Sequence, residues 1–173
     1  YMGILFNDAP GANSMRNFYI EQSSNRYTVY GDVTDWVEVP GNLVDYDDNP
    51  DSQVWNFIAD SLNAWYDAEI AAGKTPAEID AYLSQFDVWD RYDYDYDGDF
   101  DEPDGYIDTF QSVHAGLGEE EGGDPTTIWS HSWYAHYELW GSAGPDFNMA
   151  GGVQVGDSSY WVDYQRSVFF LMN

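Results

Sequence analysis

Asp93-Tyr-Asp95-Tyr-Asp97-Gly98-Asp99-Phe-Asp101-Glu-Pro-Asp104 is the stretch on which the reading of this chain turns. Counted from Asp93, carboxylates fall at loop positions 1, 3, 5, 9 and 12, and glycine at position 6, where the backbone must turn sharply. That is the spacing of an EF-hand-type calcium loop. Position 7 contributes its backbone carbonyl, here from Asp99. Alternate residues point inward, so Tyr94, Tyr96 and Phe100 face outward or towards the core. Aspartate at position 12 replaces the usual bidentate glutamate, and its shorter side chain predicts weaker closure. Asp93, Asp95, Asp97, Asp99, Asp101 and Asp104 are therefore the candidate calcium ligands. Between Asp87 and Asp108 ten acids accompany one base, Arg91. Packing them together without a cation is opposed by like-charge repulsion and carboxylate desolvation. The competing reading is a solvated acidic loop.

Outward from this loop, the flanks read as regular structure. Towards the N-terminus, Thr75 opens a helix with Pro76 at its first position and Glu78 three residues on, a capping box. Ile79, Leu83 and Phe86 form its buried stripe. A longer helix is expected over 51–72, with Val54, Ile58, Leu62 and Trp65 on one face and Gly73 at the left-handed position after it. Arg26 to Tyr30 and Trp36 to Val39 read as strands. Asn13 or Ser14 caps a short helix through Ser23, carrying Met15, Phe18 and Tyr19 at helical spacing. Asp45 to Asp51 is an acidic loop.

Towards the C-terminus, residues 106–113 read as a strand entering the core. A full EF-hand is thus not expected, and the loop reads as a staple rather than a sensor. A Gly- and Glu-rich loop follows over 116–124. Glu119, Glu120, Glu121 and Asp124 there could fold around a second ion, although a solvated loop is the simpler reading. An aromatic segment covers 128–140, and short strands are expected over 152–155 and 160–164. Ser167 to Asn173 is a hydrophobic run that reads as an interruption rather than a natural terminus. Helices interleaved with strands predict an α/β fold, a mixed twisted sheet with two or three packed helices, formed by residues 1–173 as a single domain.

Composition narrows the function. The chain of 173 residues carries 32 acidic against 5 basic residues, a net charge of −27, which disfavours nucleic acid and anionic membranes as partners and attracts cations. With 8 Trp, 15 Tyr and 9 Phe it is globular rather than disordered. No apolar run approaches the roughly 20 residues that cross a bilayer. The first residues lack the basic start of a secretory leader, so any leader is expected to have been removed. Zero cysteines exclude disulfides and thiolate metal sites, and a bound ion is an alternative staple.

Several segments, in order, resemble the immune inhibitor A family of secreted zinc metallopeptidases. They are Ser14 to Ser24 followed by Tyr27 to Trp36, Phe86 to Tyr92 leading into the acidic loop, Glu102 to Asp108, Val113 to Gly116, Ile128 to Trp133 and Gly151 to Val155. The resemblance implies a zincin-like fold, extracellular location, bound calcium and hydrolysis of peptide bonds in proteins. It also implies zinc held by His-Glu-x-x-His, which supplies two imidazoles and a general base. That motif is absent from this chain. It is expected shortly after Tyr164, so zinc would come only from residues beyond the chain, and no catalytic residue carries over. By this reading the chain is a partial catalytic domain, inactive alone, on which the rest of the peptidase domain packs.

The histidines do not substitute. His131 and His136 are five apart and point in different directions on a helix. His114 ends a buried strand, and structural hydrogen bonding is the simpler reading for all three, though His131 could border a substrate cleft. No Ser/His/Asp set is visible. Two other functions compete with the peptidase: a non-catalytic calcium-dependent module derived from one, and a carbohydrate-binding module suggested by abundant Trp and Tyr beside Asp.

Overall fold

The computed structural model describes residues 1–46, 54–90, 93, 95–130, 132–133, 144–145, 151–162 and 168–172. The chain divides into two compact units, Tyr1–Trp36 and Val37–Asn173.

The N-terminal unit carries α1 (Met2–Leu5) and α2 (Met15–Gln22). Ser14 is the cap of α2, its Oγ accepting from the Asn17 N–H at 3.2 Å and donating to the Asn7 carbonyl at 2.7 Å. Helix α2 buries no residue, and Phe18 and Tyr19 stay exposed. Ring contacts hold the unit instead. Phe18, Tyr19 and Tyr27 meet edge to face in sequence, and the Arg16 guanidinium lies 4.2 Å from the Tyr30 ring centre. The strands expected over Arg26–Tyr30 and Trp36–Val39 are absent: both stretches lack strand pairing. Their β-branched and aromatic composition favours extended backbone, but a strand exists only when a partner completes its ladder.

The C-terminal unit contains the core. Helix α3 (Val54–Ala71) presents Ile58, Leu62 and Trp65 on one face, as the helical period predicts. Residues 51–53 of the expected helix lie outside the described residues. Its end follows the sequence reading: Gly73 sits at φ +96°, and the Lys74 N–H reaches back to the Glu69 carbonyl at 3.1 Å. Helix α4 (Pro76–Leu83) begins with the complete Thr75–Glu78 capping box. It buries Ile79 and Leu83 against α3, Ile107, Ile128, Val153, Val155 and Val162.

Three strands form a mixed sheet in the order β1 (Phe110–His114), β5 (Val168–Met172), β2 (Ser132–Trp133). The β1–β5 pair is parallel, with Phe110 opposite Val168 and His114 opposite Met172; β2 runs antiparallel to β5. The terminal hydrophobic run is thus the central strand of this sheet. A separate hairpin pairs β3 (Val153–Gln154) with β4 (Trp161–Val162). The strand expected over 106–113 begins later, at Phe110. Its first part turns to the hairpin instead, through an isolated bridge between Tyr106 and Trp161. That bridge fixes the C-terminal root of the acidic loop. The remainder of the aromatic segment, 134–140, lies outside the described residues, as do 163–164.

Candidate metal centre

The acidic loop grows from a rigid base. Asp87, just beyond α4, is buried and caps the returning chain: its Oδ1 accepts from the Asp104 N–H at 3.0 Å and its Oδ2 from the Gly105 N–H at 2.9 Å. Asp104, fully buried, accepts the Tyr106 N–H at 2.9 Å. The Asp108 N–H donates to the Phe86 carbonyl at 2.8 Å, and the Tyr106 hydroxyl to the Gly151 carbonyl at 2.9 Å. Carboxylates can be buried here because backbone donors replace water.

Above the base the chain winds through successive turns closed by aspartate side chains. The Asp95, Asp97 and Asp99 carboxylates each accept the N–H two residues on, at 3.1, 2.7 and 2.9 Å. The Asp93 carboxylate spans the loop to the Gly98 N–H at 3.1 Å. Gly98 has φ +88°, a left-handed conformation that glycine adopts without steric cost. Tyr96 points to solvent, 88% exposed; Tyr94 lies outside the described residues.

This winding brings two sets of carboxylate oxygens together, each within 4.8 Å: Asp93, Asp95 and Asp97, and Asp90, Asp95 and Glu102. Asp95 belongs to both. Three of the six candidate ligands therefore converge. Asp99 and Asp101 are exposed and in neither set, and Asp104 is at the buried root. Asp90 and Glu102 stand outside the spacing that picks out the six. Asp90 precedes the loop, and Glu102 falls at position 10, outside the alternation that selects inward residues. The local acid density was their only sequence signal. Burial, then the charges of Asp97, Asp95, Asp99 and Asp90, push the Glu102 carboxyl above its usual range.

Both sets are all-oxygen and anionic, the donor type of a hard cation such as calcium. Zinc is poorly matched, because it takes nitrogen and sulfur readily and no imidazole joins either set among the described residues. His114 is buried at the end of β1, edge-on to Phe57, with Nδ1 3.2 Å from the Ala115 carbonyl. His131 and His136 lie outside the described residues. The residues described here do not fit zinc.

In the 116–124 loop two of the acids tie the loop to the chain that follows it. Both Glu120 oxygens accept the Ser130 N–H at 3.2 Å, and Asp124 Oδ1 accepts the Thr126 N–H and hydroxyl at 3.0 and 2.8 Å. Burial acts to raise the Glu120 carboxyl, but the Ser130 hydrogen bonds and the charge of His114 outweigh it, leaving it below its usual range. Neither carboxylate joins a metal-ligating set among the described residues.

The site thus sits on a mixed α/β unit, in a loop lined by converging carboxylates. Residues 2–166 match the family described as immune inhibitor A peptidase M6, catalytic domain, and the chain belongs to that family. It is 35% identical over 151 residues to Immune inhibitor A of Bacillus thuringiensis subsp. alesti, covering 77% of this chain and 20% of that protein. It is 34% identical over 141 residues to the pre-pro-metalloprotease PrtV of Vibrio cholerae serotype O1 (strain M66-2), covering 76% of this chain and 15% of PrtV. The chain thus spans a fifth or less of these relatives. No helix among the described residues is long and apolar enough to cross a membrane.

Proposed function

We propose that this chain is part of the catalytic domain of a secreted zinc metalloendopeptidase that cleaves proteins, and that its acidic loop binds calcium as a structural staple. The family match over residues 2–166 carries the peptidase reading. Secretion is supported by the likeness to a relative named as a pre-pro-metalloprotease. Zinc and the catalytic base come from residues beyond this chain, since its sequence holds no His-Glu-x-x-His. By this reading the rest of the domain packs on this segment, and the segment alone does not hydrolyse peptides.

For calcium, the supporting observation is the convergence of Asp93, Asp95 and Asp97. Asp99, Asp101 and Asp104 complete the ligand shell in this proposal, and Asp90 and Glu102 extend it through shared Asp95. The ion would tie the end of α4 to the chain entering β1. Extracellular calcium modules bind at about 10⁻⁴–10⁻³ M, a range compatible with aspartate at position 12. Calorimetric titration of the chain should show calcium binding, and the melting temperature should rise with calcium and fall in excess chelator. A melting temperature indifferent to chelator overturns the staple. Zymography of the longer protein tests the enzyme: clearing abolished by a zinc chelator is expected, and no clearing without chelator argues against a peptidase.

A further inference from the structure

The sequence contains two Asp-Gly pairs, Asp97-Gly98 and Asp104-Gly105, and both lie in the acidic loop. An aspartyl carboxyl can be attacked by the backbone nitrogen of the next residue. A C–N bond forms, water leaves, and a five-membered succinimide results. Water then reopens the ring at the α-carbonyl, and the main chain continues through the former side chain as isoaspartate. The water lost is regained, so no co-reactant is needed. Glycine is the follower that hinders this least, having no Cβ. Tyr94, Tyr96, Phe100 and Glu102 stand after the other loop aspartates and hinder it.

The two pairs share a local turn and differ in surroundings. Asp97 Oδ1 accepts the Asp99 N–H at 2.7 Å and Asp104 Oδ1 the Tyr106 N–H at 2.9 Å, so each carboxyl folds over the peptide that would attack it. Asp97 and Gly98 are exposed, and a methyl group added to Gly98 would meet no atom within 4 Å. Asp104 is fully buried, and a methyl group on Gly105 would lie 2.5 Å from Pro145 Cγ. Both attacking nitrogens are hydrogen-bonded, Gly98 to Asp93 at 3.1 Å and Gly105 to Asp87 at 2.9 Å, but only the Asp87 carboxylate is buried. Ring closure needs freedom to rotate, release of water, and water again for opening. The first site has open space and water at hand, and the second has neither.

We propose that Asp97 is a site of spontaneous isomerisation to isoaspartate, and that Asp104 is protected from the same reaction by burial. Resting on the calcium reading above, the consequence is functional. Isoaspartate adds a methylene to the backbone at the centre of the loop and withdraws the Asp97 carboxylate from Asp93 and Asp95. The loop then loses its cation with age. A bound cation, by fixing that carboxylate, slows the reaction.

The test is to age the chain near neutral pH, with calcium and in chelator, at a temperature where circular dichroism shows it folded. Isoaspartate is then located by electron-transfer mass spectrometry. Formation at 97 about tenfold faster than at 104 is expected in the folded chain, corresponding to ~1.4 kcal/mol in barrier. The two rates should converge in urea, and Asp97→Glu should remove the product at 97. Equal rates at 97 and 104 in the folded chain overturn the proposal, as does an absence of product at 97 when the urea sample shows it. A fast rate at 97 that calcium does not alter sustains the modification site and counts against the calcium reading instead.

Discussion

The acidic segment contains two regions built from the same residue. Asp95, Asp97, Asp99 and Asp101 lie exposed on a winding turn, three of them accepting N–H groups two residues on. Asp87, Asp90 and Asp104 lie at its root, none more than 2% exposed. Asp87 and Asp104 meet burial with backbone donors, Asp87 accepting two and Asp104 one. At the rim, Asp95 and Asp97 converge with Asp93 within 4.8 Å, and Asp95 also meets Glu102 and the buried Asp90. The contrast teaches that an aspartate-rich run need not have one purpose. Where donors are fixed a carboxylate shapes the chain, and where carboxylates face each other their repulsion is a cost that a cation would relieve.

The largest expected effect breaks the root. Asp87→Ala leaves the buried Asp104 N–H and the Gly105 N–H without their acceptor, and a loss of about 3 kcal/mol in urea unfolding is expected, with or without calcium. If it costs no more than the exposed Asp35→Ala, the distinction between root and rim collapses. Next comes the rim. Asp97→Ala should cost about 2.7 kcal/mol when calcium stands 100-fold above its dissociation constant, and close to nothing in chelator. A loss independent of calcium would make the rim another root.

Two carboxylates elsewhere sharpen the comparison. Tyr46, buried, donates its hydroxyl to Asp60 at 2.7 Å and accepts the Gly41 N–H at 2.9 Å. Tyr46→Phe should cost about 1.5 kcal/mol. Burial, then the Asp60 hydrogen bond, push the phenol up to about 12 from 10.0. Because the folded state favours the neutral phenol, this contribution is complete below pH 10 and lost as pH rises towards 12, a window absent from the phenylalanine variant. The smallest effect is at Glu78, exposed like the rim yet satisfied by the Thr75 N–H and hydroxyl at 2.8 Å each. Thr75→Ala should cost about 1 kcal/mol by urea unfolding, whatever the calcium concentration. The Thr75 hydrogen bonds hold the Glu78 carboxyl below its usual 4.5. Its stabilisation is therefore present above pH 4.5 and lost as pH falls through the lower folded value, which an acid titration of melting temperature would show.

Much of the helical structure was legible because its determinants are local. Thr75, Pro76 and Glu78 specify a helix start within four residues, and Ser14 caps α2 as read. Sheet structure was less legible. Residues 26–30 and 36–39 have strand composition without strand pairing, whereas the run beginning at Ser167, read as a hydrophobic stop, supplies the central strand β5. Each of those outcomes depends on a partner distant in sequence. In the loop, alternation identified Asp93, Asp95 and Asp97, which converge. It passed over Asp90 and Glu102, which enter only when the chain folds back on Asp95.

The sequence by itself determined the acidic turn with its glycine, the capped helices and the family, since each is written in residue type and short-range spacing. Tertiary structure decided which aspartates are buried and which face a common centre, and which apolar runs pair. Those outcomes follow from desolvation and from contacts between residues far apart in the chain. A carboxylate has the same identity in both regions, and only its neighbours decide whether it meets an N–H or another negative charge.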